Sequence, residues 1–329
     1  MDVLLLRPAV GRVPTGNRVT AVRWACLWRS LGHRVRIANA DDGRPADLVV
    51  ALHAVKCGAA FVAARDRLPR ARGILALAGT DLPPCDAKAR PEAHPGTELD
   101  PQLRMALERA DTIVLLQPRQ GDGLPATLRE RTHVVLPSAR RVAPRPPADR
   151  LPWLVLCLAH LRPIKEPFLL ARAMALLPPA SKLKALHLGA ALTEDATHEA
   201  ERAAALSPRW SWGGVWPRAH ALAQLAVARA LVLTSHSEGA SGAIVEALVH
   251  GVPVLATDIP ANLALLGADW PARFPPGDER ALAALLTRLE SDDVWRDQLE
   301  RRAALLAPRF TQERERADWA GIFAQLGCG

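Results

Sequence analysis

The amino-acid sequence predicts an α/β protein built from two doubly wound parallel sheets. Three observations support this fold class. The chain has 329 residues, which is enough for two domains of ordinary size. Short, continuously apolar runs alternate with helical patterns, as in parallel strands covered by helices on both faces. The alternation stops at a proline- and arginine-rich stretch around Pro144 and then resumes, which indicates a linker between two similar domains.

The first predicted domain covers residues 1–143 and has the pattern of a βαβ series. Helices are expected where apolar residues recur at helical spacing, and the first of them stops at Gly32, a helix C-terminal signal. The predicted helices are Arg18–Leu31, Ala54–Arg67 and Pro101–Arg109. The predicted strands are Val3–Leu6, Val35–Ala38, Leu48–Leu52, Ile74–Leu77, Thr112–Leu116 and His133–Leu136.

The second predicted domain covers residues 144–310 and repeats this architecture. Its predicted strands are Trp153–Leu158, Leu183–Leu188, Ala230–Thr234 and Val252–Ala256. Its predicted helices are Glu166–Leu177, Glu194–Leu206, Arg218–Ala226, Ser241–His250 and Glu279–Glu290. The last segment, Thr311–Leu326, carries Trp319, Ile322 and Phe323 on one face, which predicts a terminal packing helix.

The composition excludes several classes of protein. Hydrophobic residues make up 49% and charged residues 23%, the balance of a globular protein. The five cysteines are scattered, odd in number and without a CxxC pair, so neither a disulfide framework nor a zinc ribbon is expected. The N-terminal apolar run is too short for a signal peptide, and no stretch approaches the roughly 18 apolar residues of a membrane span. We therefore expect a cytoplasmic protein with reduced thiols and no membrane partner.

The net charge of +8 comes almost entirely from arginine and allows two explanations. One is the coding bias of a GC-rich genome, which also fits the abundance of alanine, leucine and proline. The other is that some arginines hold anionic ligands such as phosphates. A nucleic-acid-binding protein is disfavoured, because the arginines are spread along the chain and no signature of a nucleic-acid-binding module is present.

Ligands of open parallel sheets bind beyond the carboxyl ends of the strands, so we expect a site in those loops, at a cleft between the two domains. The loop after the first strand leads to Gly16, which allows close approach of a ligand to the backbone, and to Asn17, a predicted helix N-cap. Arg18 then opposes the helix dipole. An anionic ligand would explain this cation, and so would a plain surface position.

Two more loops of the first domain carry polar residues directly after a predicted strand. His53 ends one strand, and Lys56 adds positive charge within one helical turn. Thr80 and Asp81 follow the next strand. A neutral imidazole suits hydrogen bonding to a sugar hydroxyl or positioning of a nucleophile. The alternatives are a structural histidine and an ordinary turn.

The second domain carries the most informative pattern. Arg162 and Lys165 stand three residues apart after its first strand, where two cations can clamp a diphosphate. Glu238 lies on the loop after a later strand, and Glu246 lies eight residues further on, inside a helix. A carboxylate among apolar residues needs a polar partner, which ligand hydroxyls would supply. Gly239 and Gly242 leave the start of this helix open to a phosphate.

The Glu-x7-Glu loop and helix, followed by the Gly251-Val252-Pro253-Val254 strand, resemble the donor site of two-domain GT-B glycosyltransferases of the retaining family 4. This resemblance implies that Arg162 and Lys165 bind the diphosphate, that Glu238 contacts the donor sugar and that Glu246 binds the ribose. His53 matches a histidine near the transferred sugar, and residues 311–329 match a helix that crosses back to the first domain. The remaining residues implied at the donor site are Gly16, Gly239, Ala240, Ser241 and Gly242.

A narrower resemblance, to the selenosugar synthases of selenoneine biosynthesis, rests on several short segments. They are Gly16–Trp24, Val50–Ala54, Leu77–Leu82, His160–Pro163, Leu266–Trp270 and Phe274–Asp278. The resemblance implies transfer of a sugar from UDP-N-acetylglucosamine or UDP-glucose to selenophosphate, with release of UDP. Selenophosphate is a small multiply charged anion that needs cations and hydrogen-bond donors. The candidate acceptor-binding residues are Asn17, Arg18, Thr20, Lys56, Thr80 and Asp81.

The expected chemistry requires neither cofactor nor metal. Arg162 and Lys165 would stabilise the charge that develops on the leaving UDP. Selenium is already a good nucleophile, so we expect His53 to position the sugar rather than act as a strong base. The sequence contains no Asp-x-Asp metal motif, and GT-B transfer typically needs no bound metal.

Three alternatives stay open at this point. The first is a family 4-type glycosyltransferase with an oxygen or sulfur acceptor. The second is a UDP-sugar epimerase or phosphorylase, which would need no selenium acceptor. The third is an inactive sugar-nucleotide-binding protein, which the complete set of Arg162, Lys165, Glu238 and Glu246 disfavours. The sequence leaves the donor sugar, the stereochemical outcome and the oligomeric state open.

Overall fold

The structure is a computed structural model of the 329-residue chain. It describes residues 1–9, 15–78, 81, 100–122, 124–142 and 144–327. The chain divides into two compact units. Unit 1 consists of Met1–Pro137 and Gln312–Gly329, and unit 2 consists of Ser138–Thr311.

The division falls before the proline-rich stretch, whereas the sequence predicts it at residue 144. The reason lies in hydrogen bonds that hold the start of this stretch to unit 2. The Ala139 N–H donates to the Phe310 carbonyl at 3.1 Å, and the Val142 N–H donates to Nε2 of His250 at 3.1 Å. Burial lowers the pKa of His250, so its neutral ring keeps Nε2 available as an acceptor.

Unit 1 contains a parallel sheet of six strands in the order β2-β1-β3-β4-β5-β6. The apolar runs are buried on both faces, which explains why they do not alternate with polar residues. The strands are β1 (Asp2–Leu6), β2 (Arg34–Ala38), β3 (Leu48–Leu52), β4 (Arg72–Leu77), β5 (Thr112–Leu115) and β6 (Thr132–Val134). The helices before the linker are α1 (Gly16–Ser30), α2 (Ala54–Arg67), α3 (Pro101–Arg109) and α4 (Ala126–Arg129).

Unit 2 contains a second parallel sheet of six strands, in the order β12-β11-β10-β7-β8-β9. The strands are β7 (Leu154–Leu158), β8 (Lys184–Leu188), β9 (Trp210–Trp212), β10 (Ala230–Leu233), β11 (Val254–Thr257) and β12 (Arg273–Phe274). The helices are α5 (Leu169–Ala175), α6 (Glu194–Leu206), α7 (Arg218–Val227), α8 (Gly242–Val249), α9 (Pro260–Leu266), α10 (Glu279–Ser291) and α11 (Asp293–Leu306).

The final helix, α12 (Gln312–Gln325), packs on α1 within unit 1. The Trp319 ring lies 4.8 Å from the rings of Trp24 and Trp28, centroid to centroid, in edge-to-face contacts. Glu315, only 1% exposed, accepts hydrogen bonds from Nε of Arg23 at 2.9 Å and from Nε1 of Trp24 at 2.8 Å. Aromatic packing and a satisfied buried carboxylate therefore fix α12 to the first unit, although the chain reaches it from the second.

The predicted elements form, and the differences have local causes. The sequence prediction missed the short strands β9 and β12 and the helices α4, α9 and α11, whose patterns are brief or strongly charged. The helix predicted from Glu166 begins instead at Leu169. Pro163–Lys165 form a 3-10 turn, and Glu166 adopts a left-handed conformation with φ 41° and ψ 60° before Pro167. None of the described helices is long and apolar enough to cross a bilayer.

Candidate functional site

Each sheet has one point where the order of its strands reverses. In unit 1 the chain passes from β1 outward to β2 and then back to β3 on the other side of β1. In unit 2 it passes from β7 out to β9 and returns to β10, which lies beside β7. Loops after such neighbouring strands separate at the sheet edge and leave a crevice, which is where doubly wound sheets bind ligands. Most of the predicted site residues that the structure describes lie on the loops and helix starts at or next to these two points.

In unit 2 the crevice joins Lys165 and Glu238. Nζ of Lys165 donates to Oε2 of Glu238 at 2.5 Å, and Oγ of Ser235 donates to Oε1 of the same carboxylate at 2.7 Å. The two charged side chains are only 17% and 9% exposed. The sequence places the lysine and the glutamate in separate loops, and the structure brings them into contact at the switch point.

Two hydrogen bonds to main-chain carbonyls hold these two loops together. Oγ1 of Thr234 donates to the Lys165 carbonyl at 2.7 Å, and the His236 N–H donates to the Ile164 carbonyl at 2.9 Å. The loop after β7 also passes tightly over β8: a Cβ at Gly189 would lie 1.8 Å from the Ala159 carbonyl oxygen. Only glycine permits this approach.

Arg162 precedes the 3-10 turn, and its side chain is exposed. It forms no ion pair with any side chain in the described part of the chain. The guanidinium is therefore open to an anion, three residues from Lys165.

The start of α8 follows Glu238 directly. Gly239 is buried and Ala240 half-buried, while Ser241 is the N-cap residue without a side-chain capping bond. A Cβ at Gly242 would meet no atom within 4 Å, so the first turn of the helix is open as predicted from its glycines. No acidic residue occupies that turn.

Glu246 lies in the middle of α8 and is 8% exposed. A protein side chain supplies the polar partner that its burial demands: Nη2 of Arg218 contacts Oε1 of Glu246. Arg218 is half-exposed and begins α7 directly after Pro217. Sequence reasoning missed it, although a cation in the first turn of a helix is the same signal that drew attention to Arg18.

In unit 1 the corresponding edge carries His53 and Asp81. His53 follows β3 directly and precedes α2 with φ 81°, a conformation rare for residues with a side chain, and its Nδ1 lies against Oδ1 of Asp81. Oδ2 of Asp81 accepts from the N–H groups of Ala54 and Ala78, each at 2.7 Å, and Oδ1 accepts from the Val55 N–H at 3.0 Å.

The prediction that Asp81 binds the acceptor therefore needs correction. Its carboxylate is 3% exposed, already accepts hydrogen bonds from three backbone N–H groups and lies against Nδ1 of His53. Asp81 caps the start of α2 and holds the ring of His53, which is a positioning role. Thr80, the neighbouring prediction, lies outside the described residues.

The start of α1 also differs from the prediction in one detail. The N-cap is Thr15 rather than Asn17, and its Oγ1 accepts from the Arg18 N–H at 3.4 Å. Asn17 thus falls inside the first turn, next to the exposed Gly16. Thr20 is half-buried one residue beyond that turn.

Two cations stand at this edge of unit 1. Arg18 is exposed in the first turn of α1, and Lys56 is exposed in the first turn of α2. Neither first turn contains an acidic residue. Within the ranges that the structure describes, neither side chain forms an ion pair. Because β1 and β3 are neighbours, the starts of both helices lie beyond adjacent strand ends.

Other chemistries find little support at these edges. Burial raises the pKa of the Cys57 and Cys157 thiols to about 12, so neither is a nucleophile at neutral pH. Among residues with described positions, no three His, Cys, Asp or Glu side chains group to hold a metal ion.

Comparison with known proteins finds a family match within the second unit. Residues 152–292 match the family model described as Glycosyl transferases group 1. This range contains Arg162, Lys165, Glu238 and Glu246. Most of the second unit therefore matches a glycosyltransferase family. The match supports the predicted enzyme class, and every predicted donor-site residue of unit 2 lies inside the matching segment.

Solved structures confirm the predicted GT-B fold over nearly the whole chain. Sucrose-phosphate synthase from Thermosynechococcus elongatus superposes with a TM-score of 0.77 at 15% identity, covering 99% of this chain and 98% of that one. Anabaena HepE in complex with UDP superposes with a TM-score of 0.76 at 17% identity, covering 99% and 100%. HepE has also been solved with UDP-glucose, with a TM-score of 0.75 at 18% identity and the same coverage.

A curated relative shares sequence with a smaller part of the chain. The putative teichuronic acid biosynthesis glycosyltransferase TuaC of Bacillus subtilis is 35% identical over 75 residues. The alignment covers 23% of this chain and only 19% of TuaC. This relative is thus also named as a glycosyltransferase.

Proposed function

We propose that the protein transfers the sugar of a UDP-sugar, UDP-N-acetylglucosamine or UDP-glucose, to selenophosphate. The products of the transfer are UDP and a selenosugar whose selenium still carries the phosphoryl group, which hydrolysis of the P–Se bond by water would release as inorganic phosphate. The observation that carries the donor half is the Lys165–Glu238 pair, which joins two loops at the switch point inside the segment matching a glycosyltransferase family. The acceptor half rests on the resemblance of the unit 1 segments to selenosugar synthases and on the cations Arg18 and Lys56.

On binding, the donor would separate Lys165 from Glu238 and contact each of them with a different group. Its diphosphate takes the ammonium of Lys165 together with the guanidinium of Arg162, and the sugar hydroxyls donate to Glu238. Each buried charge therefore exchanges one partner for another, which avoids the large cost of an unpaired buried charge. Glu246, held by Arg218, accepts hydrogen bonds from the ribose hydroxyls. Binding of UDP and UDP-glucose by HepE, a protein of the same fold, supports this choice of donor.

Selenophosphate would bind at the carboxyl edge of β1 and β3. Arg18 and Lys56 supply positive charge there, and the N–H groups at the start of α1 favour an anion. Asn17 and Thr20 add hydrogen-bonding side chains to the same helix end. An anionic ligand accounts for a cation in a helix turn where the dipole disfavours it.

Transfer follows as one substitution. Selenium attacks the anomeric carbon with its lone pair, the bond from that carbon to the diphosphate oxygen breaks, and the electron pair leaves with UDP. Arg162 and Lys165 stabilise the charge that develops on the leaving group. His53, oriented by Asp81, hydrogen-bonds and positions the sugar. No step uses a metal, so treatment with EDTA should leave the rate unchanged.

The decisive experiment supplies the purified chain with selenophosphate and one UDP-sugar at a time under reducing conditions. Mass spectrometry then follows UDP and the selenium isotope pattern in the product. We expect a selenosugar with UDP-N-acetylglucosamine or UDP-glucose, and none with Lys165→Ala. Release of UDP only when an oxygen or sulfur acceptor is added would overturn the acceptor assignment and keep the donor assignment. Isomerised UDP-sugar without transfer would identify an epimerase.

The role of Arg18 has a test of its own. Arg18→Ala should raise the KM for selenophosphate about tenfold or more, as expected for loss of a charged contact, while UDP affinity measured by calorimetry stays unchanged. Arg70→Ala is the matched control, because Arg70 is equally exposed but follows α2, before the amino end of β4. Unchanged acceptor kinetics in the Arg18 variant would contradict the assignment.

A further inference from the structure

Glu166 has an unusual backbone conformation beside the candidate donor site. It follows Lys165 directly and adopts φ 41° and ψ 60°, in the left-handed region that favours glycine. Residues with a side chain persist in this region only where their surroundings over-determine the conformation, and such residues concentrate at functional sites. The neighbours of Glu166 should therefore explain why it is not glycine.

The carboxylate of Glu166 bonds to one neighbouring side chain and lies close to a second. Oε1 accepts a hydrogen bond from Nη2 of Arg172, on α5, at 2.8 Å. Oε2 lies 2.8 Å from Nε2 of His236, on the loop after β10. The Glu166 side chain is only 18% exposed, although Arg172 and His236 are each nearly half-exposed. The side chain thus links the 3-10 turn to a helix and to a loop that is distant in sequence.

The loop reached through His236 is the one that carries Glu238. His236 already bonds through its main-chain N–H to the Ile164 carbonyl, at 2.9 Å. Glu166 adds a side-chain contact on the other side of Lys165. The lysine therefore lies between two anchored residues, and this restricts the direction in which its ammonium points toward Glu238.

We propose that Glu166 is a positioning residue for the phosphate-binding lysine of the donor site. Its left-handed backbone turns the chain between Lys165 and Pro167, and its carboxylate locks that turn against Arg172 and His236. Glycine would adopt the backbone conformation more easily but would leave the turn unlocked. This inference rests on the donor half of the proposed function and identifies the ligand group concerned, the terminal phosphate of a nucleoside diphosphate.

The test compares UDP with UMP, which lacks that phosphate, by calorimetry on the full chain. Glu166→Gly and Glu166→Gln should each lower the affinity for UDP about tenfold, the size expected from a displaced charged contact. The affinity for UMP should change less than about twofold. Glutamine keeps the size of the side chain and removes only its charge. The Glu166→Gln variant therefore still tests the positioning role if Glu166→Gly destabilises the protein. Lys165→Ala should show the same selective loss of UDP.

Glu279→Gln is the matched control. Glu279 approaches the same Arg172, with Oε2 3.5 Å from Nε, but does not contact the loop of His236. Its replacement should leave both affinities unchanged. If the Glu166 variants lose affinity for UDP and UMP equally, or lose none, while the wild-type chain binds UDP, the inference is wrong. A wild-type chain that binds neither nucleotide would overturn the donor proposal itself, whereas failure with selenophosphate alone leaves this measurement unaffected.

Discussion

Replacing the buried carboxylate of Asp81 should destabilise unit 1 strongly. Its two oxygens accept from three backbone N–H groups, and two of the donors, those of Ala54 and Ala78, belong to fully buried residues. Each buried donor left without an acceptor costs about 1–3 kcal/mol. The Val55 N–H can donate to water in place of the lost carboxylate, because that residue is exposed. Asp81→Ala should therefore lower the free energy of unfolding by about 4 kcal/mol, two such penalties.

Urea denaturation gives this free energy, and hydrogen exchange shows where the loss occurs. Exchange should accelerate in the first turn of α2, which Asp81 caps. Asp122→Ala provides the control: Asp122 pairs with Arg119 at the surface and is 45% exposed, so a change below about 0.5 kcal/mol is expected. A loss under about 1 kcal/mol for Asp81→Ala, or exchange unchanged at α2, would refute the assigned hydrogen-bonding role.

Two further predictions concern unit 2. Arg218→Ala should lower the affinity for UDP about fivefold, because Glu246 loses its partner, and should lower the affinity for 2′-deoxy-UDP much less. The control Arg202→Ala, at an exposed position, should leave both affinities unchanged. Equal losses of affinity for the two nucleotides in the Arg218 variant would contradict the ribose assignment. Burial lowers the pKa of His187 from 6.5 to about 4. As the pH falls, His187 is therefore protonated in the unfolded chain at a higher pH than in the folded chain. The free energy of unfolding should drop by about 2 kcal/mol between pH 7 and pH 5, and this slope should flatten in His187→Gln but not in the exposed His198→Gln.

Much of the fold could be predicted from local patterns. A strand buried on both faces must be apolar throughout, so runs such as Leu48–Leu52 and Leu154–Leu158 can be recognised as strands from the sequence. The edge strands β9 and β12, with three and two residues, are too short to show a pattern. The start of α5 was misplaced because the left-handed turn at Glu166 depends on contacts with distant side chains.

The site could be predicted in part. Lys165, Glu238 and Glu246 follow strands or occupy apolar faces where a charge demands an explanation, so single positions suffice to select them as candidates. Their partners could not be found in this way. Arg218 is separated from Glu246 by 28 residues, and His236 from Glu166 by 70, with no periodicity to connect them. Asp81 looked like a ligand residue because nothing in the sequence reveals that three N–H groups converge on it.

The sequence by itself determined the two parallel sheets, the loops that carry polar residues and the group 1 glycosyltransferase pattern of the second half. These depend on burial and on local backbone geometry, which act on neighbouring residues. Only the tertiary structure decided which charges meet: Lys165 with Glu238, Arg218 with Glu246, and Glu166 with His236. The order of strands brings distant loops to one switch point, and buried charges then take whichever partner that geometry places within reach.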